Sequence, residues 1–225
     1  MLQSLFHHVV SVSRAGPGRT SLALRRVCLV ICLLAMNLSI AAAPIAAATD
    51  IDLTVSGAFA YVNGAFFLQA VPSGASGTGV FPGIYRLQAS PRERGVNAPT
   101  ANGTLDTKSG YIELAASSVN TVTIGGVQFR EFGLDLNEST ATIALNDLAI
   151  FAAPSTGWTY DVTARRMTKA GQTPLAPVYE LGDTRLLLTD GFGAGSGKAD
   201  YVLLVPAALF PAGSYIYLYS DMGAT

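Results

Sequence analysis

From Asp50 onward the apolar residues fall at alternate positions in short runs, and clusters of Gly, Pro, Asn and Ser separate the runs. Such alternation sends successive side chains to opposite faces of an extended strand, and no window of a dozen residues carries the stripe of an amphipathic helix. The chain is therefore expected to be all-β. In IDLTVSGAFAYV, Leu53, Val55, Phe59 and Tyr61 fall on one face and Thr54, Ser56, Ala58 and Ala60 on the other. Asn63-Gly64 follows, a pair that accepts the two positive φ angles of a type I′ turn. It predicts a hairpin with Val62 opposite Ala65, Tyr61 opposite Phe66 and Phe59 opposite Leu68.

Further strands are expected in IYRLQA, YIELAA, VNTVTI, VQFREFGLDL, TIALNDLAIF, TYDVTARRM, VYELGDTRLLL, DYVLLVP and SYIYLYS. PSGASGTGVFPG reads as a Gly-rich loop, and SPRERGVNAPTANG, without an apolar repeat, as a long surface excursion. In VQFREFGLDL the apolar positions change parity between Phe129 and Phe132, which predicts a β-bulge near Arg130-Glu131. About ten short strands with no helices between them point to an antiparallel β-sandwich, jelly-roll-like, in a single domain over 49–225.

Residues 1–48 read differently. They hold both cysteines (Cys28, Cys32), both histidines (His7, His8), four of the fourteen Lys and Arg, and no acid. A basic n-region over 1–26, an apolar region over 27–45 and the small-residue run to Ala48 form a signal peptide with cleavage before Thr49. The alternative is a retained anchor, because the uncharged stretch is long enough for a bilayer core of roughly 30 Å. Asn37, Ser39 and Pro44 interrupt its apolar part and favour cleavage, which leaves no stable membrane span. Arg25-Arg26 raises twin-arginine export beside the general route, although Val-Cys-Leu matches that signal poorly.

Cleavage leaves 177 residues with ten basic and fifteen acidic side chains, a formal charge of −5, and neither His nor Cys. Ser-His-Asp and Cys-His catalysis, ordinary zinc sites and disulfides are thereby excluded. The acidic balance argues against nucleic acid as a partner. Stability must come from the core, which a domain of this size can supply without staples.

GTGVFPGIYRLQA, GGVQFREFGLDLNE, IALNDLAIF, GSGKADYVLLVPAALF and YIYLYSDMG resemble, in that order, a group of exported β-rich bacterial proteins that often carry a PEP-CTERM sorting tail. The resemblance implies an envelope or extracellular location and no chemistry. The sequence stops at Thr225 without such a tail, so it is read either as truncated at the C-terminus or as a released protein. SYIYLYS, taken as an edge strand near that end, needs a partner strand and points to truncation.

Chemistry without His falls to carboxylates and aromatics. Glu131, Asp135, Glu138 and Asp147 are the acids available to a carboxylate-only glycoside hydrolase. Glu131 and Asp135 share a strand face about 13 Å apart, too far for a retaining pair unless the expected bulge shortens the gap. No cofactor is expected, with calcium as the alternative, held by Asp135, Asn137 and Glu138 in one turn or by Asp190 and Asp200 around GFGAGSGKAD; the plainer reading is turn acids bonding their own backbone. That Gly-rich stretch imitates a P-loop, but Phe192 stands where the first glycine belongs and Ala199 where Ser or Thr must meet magnesium. Tyr215, Tyr217 and Tyr219 share a face. They form an exposed platform for glycans or matrix components if Ile216 and Leu218 are buried, and core if the strand is central. Trp158 is either another platform or a plug. The leading expectation is a non-enzymatic structural or adhesive envelope module, with a carbohydrate-binding module, calcium-assisted or not, as the alternative.

Overall fold

The computed structural model describes residues 8–12, 49–70, 83–87, 92–106, 111–136, 142–190 and 199–223. Two seven-stranded sheets pack face to face as a β-sandwich, and a small third sheet covers one outer face. Among the described residues helix is confined to two single 3-10 turns, and no helix is long and apolar enough to cross a membrane.

The first sheet runs in the order β3 (Phe59–Val62), β4 (Ala65–Gln69), β16 (Tyr201–Pro206), β10 (Val127–Asp135), β1 (His8–Val12), β5 (Gly83–Leu87), and β9 (Thr121–Ile124) also pairs with β10. The second runs β2 (Thr49–Asp52), β15 (Thr184–Leu188), β11 (Ile143–Ala153), β17 (Tyr215–Gly223), β6 (Arg92–Val96). In it β14 (Tyr179–Glu180) pairs with β11 and β8 (Leu114–Ala115) with β17. The third consists of β13 (Arg166–Thr168), β12 (Thr159–Asp161) and β7 (Thr100–Ala101). Pairing is antiparallel except for β2 with β15 and β7 with β12. β1 lies inside the segment expected to be a leader, and its backbone pairs on both sides with the first sheet.

The Asn63-Gly64 hairpin has the expected register, with φ of 49° and 89° at its two turn residues. Its aromatic side, however, faces outward. Ala60, Val62, Ala65 and Phe67 enter the core while Phe59 and Tyr61 remain exposed. Gly125 and Gly126, with φ of 57° and 83°, make a second tight hairpin between β9 and β10.

Several strand expectations need correction. β10 pairs with β16 without interruption from Phe129 to Leu134, so it has no bulge at Arg130-Glu131. Its parity change arises because Phe129 joins an apolar cluster on the outer face while Phe132 and Leu136 enter the core. The irregularity lies in β11 instead, between Leu145 and Asp147. Leu145 and Leu148 both reach the core, and the extra residue between them restores the alternation. TYDVTARRM is a hairpin rather than one strand: the Asp161 carboxylate accepts hydrogen bonds from the amides of Thr163 and Ala164, and Arg165 turns the chain at φ 54°. VYELGDTRLLL breaks at Gly182, φ 71°, into β14 and β15. The expected excursion SPRERGVNAPTANG supplies β6 and β7, which are held by their partners β17 and β12 rather than marked by an apolar repeat of their own. SYIYLYS is not an edge: β17 has β11 on one side and β6 and β8 on the other.

Candidate functional site

The tyrosine face of β17 points away from the sandwich core, yet it is not open. Ile216 and Leu218 enter the core, as one reading required, while Tyr217 and Tyr219 emerge on the outer face opposite Phe151 and Ala149 of β11. The third sheet then covers them. Trp158, Tyr160 and Met167 press down on Tyr217, Tyr219, Phe151 and Val96 in a second apolar cluster, with Tyr160 stacked on Tyr219 at 5.0 Å between ring centres. Ala149 and Ala153 stand opposite Tyr219 and Tyr215, and these small residues leave room for the bulky rings. Tyr217 and Trp158 are buried, Tyr219 nearly so, and Tyr215 is half-buried. The platform reading of these four residues is therefore corrected: they hold a roof onto the sandwich.

Their polar atoms serve the same purpose. The Tyr217 hydroxyl donates to Glu113 Oε1 at 2.5 Å, and the Gly157 amide donates to the same oxygen at 2.6 Å. The Trp158 amide points at the Tyr217 oxygen from 3.4 Å. Burial pushes the Tyr217 phenol above its ordinary value, with the Glu113 contact adding to the effect. Burial likewise pushes Tyr219 up to about 12. Neither phenol ionises near neutral pH.

The acids are distributed otherwise than expected. Glu131 is half-buried and accepts a hydrogen bond from Asn120 Nδ2 at 2.9 Å. Asp135 and Asp200 are buried at one end of the β10–β16 pair, where Asp200 Oδ2 accepts from the Leu136 amide at 2.8 Å. Asp190 is half-buried after β15. Asn137 and Glu138 lie outside the described residues. Among the described residues no three of His, Cys, Asp and Glu gather into a metal-sized group. Asp135 and Asp200 are near neighbours all the same, but calcium takes six to eight oxygens, and the Leu136 amide already engages one Asp200 oxygen.

One carboxylate pair escaped the sequence reading. The register of β11 with β17 sets Asp147 directly opposite Asp221. Like charges so placed repel, and each acid has its own guanidinium. Arg165 from the β12–β13 turn meets Asp147 at 2.5 Å, and Arg92 of β6 holds both oxygens of Asp221. Burial raises the Asp147 carboxyl above its ordinary value; Arg165 opposes the rise, and Asp221 and Glu180 add to it. Sequence could not pair residue 147 with 221, because nothing local encodes that register.

The chain matches no protein-family model, no curated protein and no solved structure. What the surface can do must be read from its geometry.

An apolar strip with open residues lies on the opposite side of the molecule. Phe59, Tyr61, Phe66 and Leu68 of the first hairpin continue through Val202 and Leu204 of β16 to Phe129 and Val127 of β10 and Val122 and Ile124 of β9. Tyr61 is 46% exposed, Phe59 38% and Val127 51%; Phe66, Leu68 and Val202 are half-buried, and Phe129, Leu204, Val122 and Ile124 are buried between them, so the open part is the hairpin pair, with Val127 apart from it. The Tyr61 and Phe66 rings are tilted at 4.7 Å, and Phe66 meets Phe129 edge-on at 5.5 Å. Elsewhere, a cavity of about 40 Å³ between the sheets is lined by Phe132, Leu145, Leu148, Leu218 and Met222 among others, without a charged group.

Proposed function

We propose that the chain is a non-enzymatic, exported β-sandwich module of the cell envelope or extracellular matrix, structural or adhesive in role. The observation that carries this reading is the aromatic strip on the outer face of the first sheet. Its open part is the pair Phe59 and Tyr61, adjacent exposed aromatics backed by a buried apolar cluster, the kind of patch that marks a contact site. The leader-like residues 1–48 and the resemblance to exported β-rich proteins support the location. The acids support a non-catalytic role: Asp147 and Asp221 are engaged by arginines, and Glu131 by Asn120.

Carbohydrate binding is the second reading, and one observation favours it. Tyr61 presents an exposed ring braced by Phe66, the kind of surface on which a sugar ring stacks. The candidate platform thus moves from the β17 tyrosines to the first hairpin. Adsorption to apolar particles and to a panel of insoluble polysaccharides, with and without calcium, separates the readings. The double variant Phe59→Ser, Tyr61→Ser should keep the wild-type melting temperature and lose adsorption. Retention of one polysaccharide that disappears with Tyr61→Ala alone supports the second reading. Turnover of a glycan that stops with Glu131→Gln or Asp135→Asn would overturn both.

A further inference from the structure

β1 occupies a seat between two walls that are each also held by other contacts. One wall is β10, whose other edge is hydrogen-bonded to β16 from Phe129 to Leu134. The other is β5, which is fixed from across the sandwich: the Tyr85 hydroxyl meets Ser220 Oγ of β17 at 2.7 Å, and the Ile112 amide donates to the Ile84 carbonyl at 2.8 Å. Ile84, Tyr85 and Leu87 are buried. With strands spaced about 4.8 Å apart, the walls stand roughly 9.6 Å from each other, one strand too far to pair directly.

The seated strand is antiparallel to both walls. Val9, Val10, Ser11 and Val12 lie opposite Asp135, Leu134, Gly133 and Phe132, and on the other side His8, Val9 and Val10 lie opposite Leu87, Arg86 and Tyr85. Removing residues 1–48 would strip partners from the facing backbone groups of both walls inside a sheet, and buried backbone donors and acceptors must be paired.

We infer that the space between β5 and β10 is a strand-acceptor site for an extended, β-branched peptide segment, filled in the unprocessed chain by β1 and opened to a strand from another polypeptide when the leader is cut. Main-chain hydrogen bonds to both walls supply the affinity, as in strand addition to an exposed sheet edge. The inference rests on the export reading for the step that opens the site, but the site itself can be examined without it.

The full chain is prepared with a protease site inserted between Ala48 and Thr49, folded and then cut. The leader fragment should remain associated, and a fluorescein-labelled peptide of residues 7–13 should displace it with saturable binding. A Val10→Pro peptide, which lacks a ladder N–H, should bind at least tenfold more weakly. Amide exchange at Phe132–Asp135 and Tyr85–Leu87 should slow when peptide is added. Unfolding of the cut chain on dilution, prevented by excess peptide, counts equally in favour. A cut chain that sheds the fragment, stays folded with those amides protected and ignores the peptide overturns the inference, as does equal binding of the Val10→Pro peptide. N-terminal sequencing of exported protein tests removal at Thr49 separately, so either idea can fail without the other.

Discussion

At the scale of single residues, Asp147 is an acid whose surroundings oppose its charge. Its folded-state carboxyl titrates above the ordinary 3.8, chiefly through burial. The charged form therefore costs stability at neutral pH, and that cost disappears as pH falls through the raised value and below 3.8. Asp147→Asn should be at least as stable as wild type at pH 7, because Arg165 is half-exposed and can be solvated when released. The difference should shrink as the pH approaches 3.8. Urea denaturation of both proteins from pH 7 to 4 checks this, and a variant clearly weaker at pH 7 contradicts it. Trp158, 1% exposed, is the chain's one tryptophan and reports on the roof directly. Its emission should be blue-shifted and shielded from iodide. Trp158→Ala should cost about 3–5 kcal/mol through the cavity it leaves. Ready quenching of the wild type by iodide would mean that the third sheet does not cover the tyrosines.

Among elements, the first hairpin has a turn that links the two large sheets. Asn63 adopts φ 49°, and its Nδ2 donates to the carbonyls of Glu180 and Leu181 at 2.9 and 3.3 Å. Asn63→Gly keeps the turn and loses the links, whereas Asn63→Ala strains the turn as well. Each should lower stability, Asn63→Ala by about 1 kcal/mol more, and thermal melts of the pair separate the contributions. This hairpin was legible because two adjacent residues encode its turn and register. The parity change in β10 was equally visible and was misread, since alternation records which positions are apolar and not which cluster receives them. The same signal sits in β11, where Leu145 and Leu148 differ in parity and a bulge does intervene. Only the partner strands distinguish the two cases. The third sheet was hidden for a related reason: its strands are two or three residues long, too short for any period.

For the whole molecule, the all-β class and the layered packing follow from alternation and turn residues, which are local. The candidate surface does not. Tyr215, Tyr217 and Tyr219 share a face in the sequence and in the structure, but whether a face is wet depends on what lies above it, and the roof comes from segments some sixty residues upstream. Phe59 and Tyr61 carried the same kind of aromatic pattern and proved to be the exposed pair. Burial is thus a property of the assembled layers, and sequence reasoning reached it only where the chain covers itself locally.

The central position of β17 sets an order of events during synthesis. It joins β11 to β6 and β8, so the second sheet cannot be completed until Tyr215–Gly223 has emerged from the ribosome. Until then β6 and β8 lack the strand they pair with and β11 lacks one neighbour, and the loops of about a hundred residues that β17 closes onto β6 and β8 stay open. A chain stopped at Ser214 should show no cooperative melting transition, while the full chain should regain one on dilution from urea; a cooperative melt of the shortened chain would contradict this. One layer of the sandwich thus stays unclosed until residues 215–223 are made, which leaves β6, β8 and β11 the longest in a pliable state.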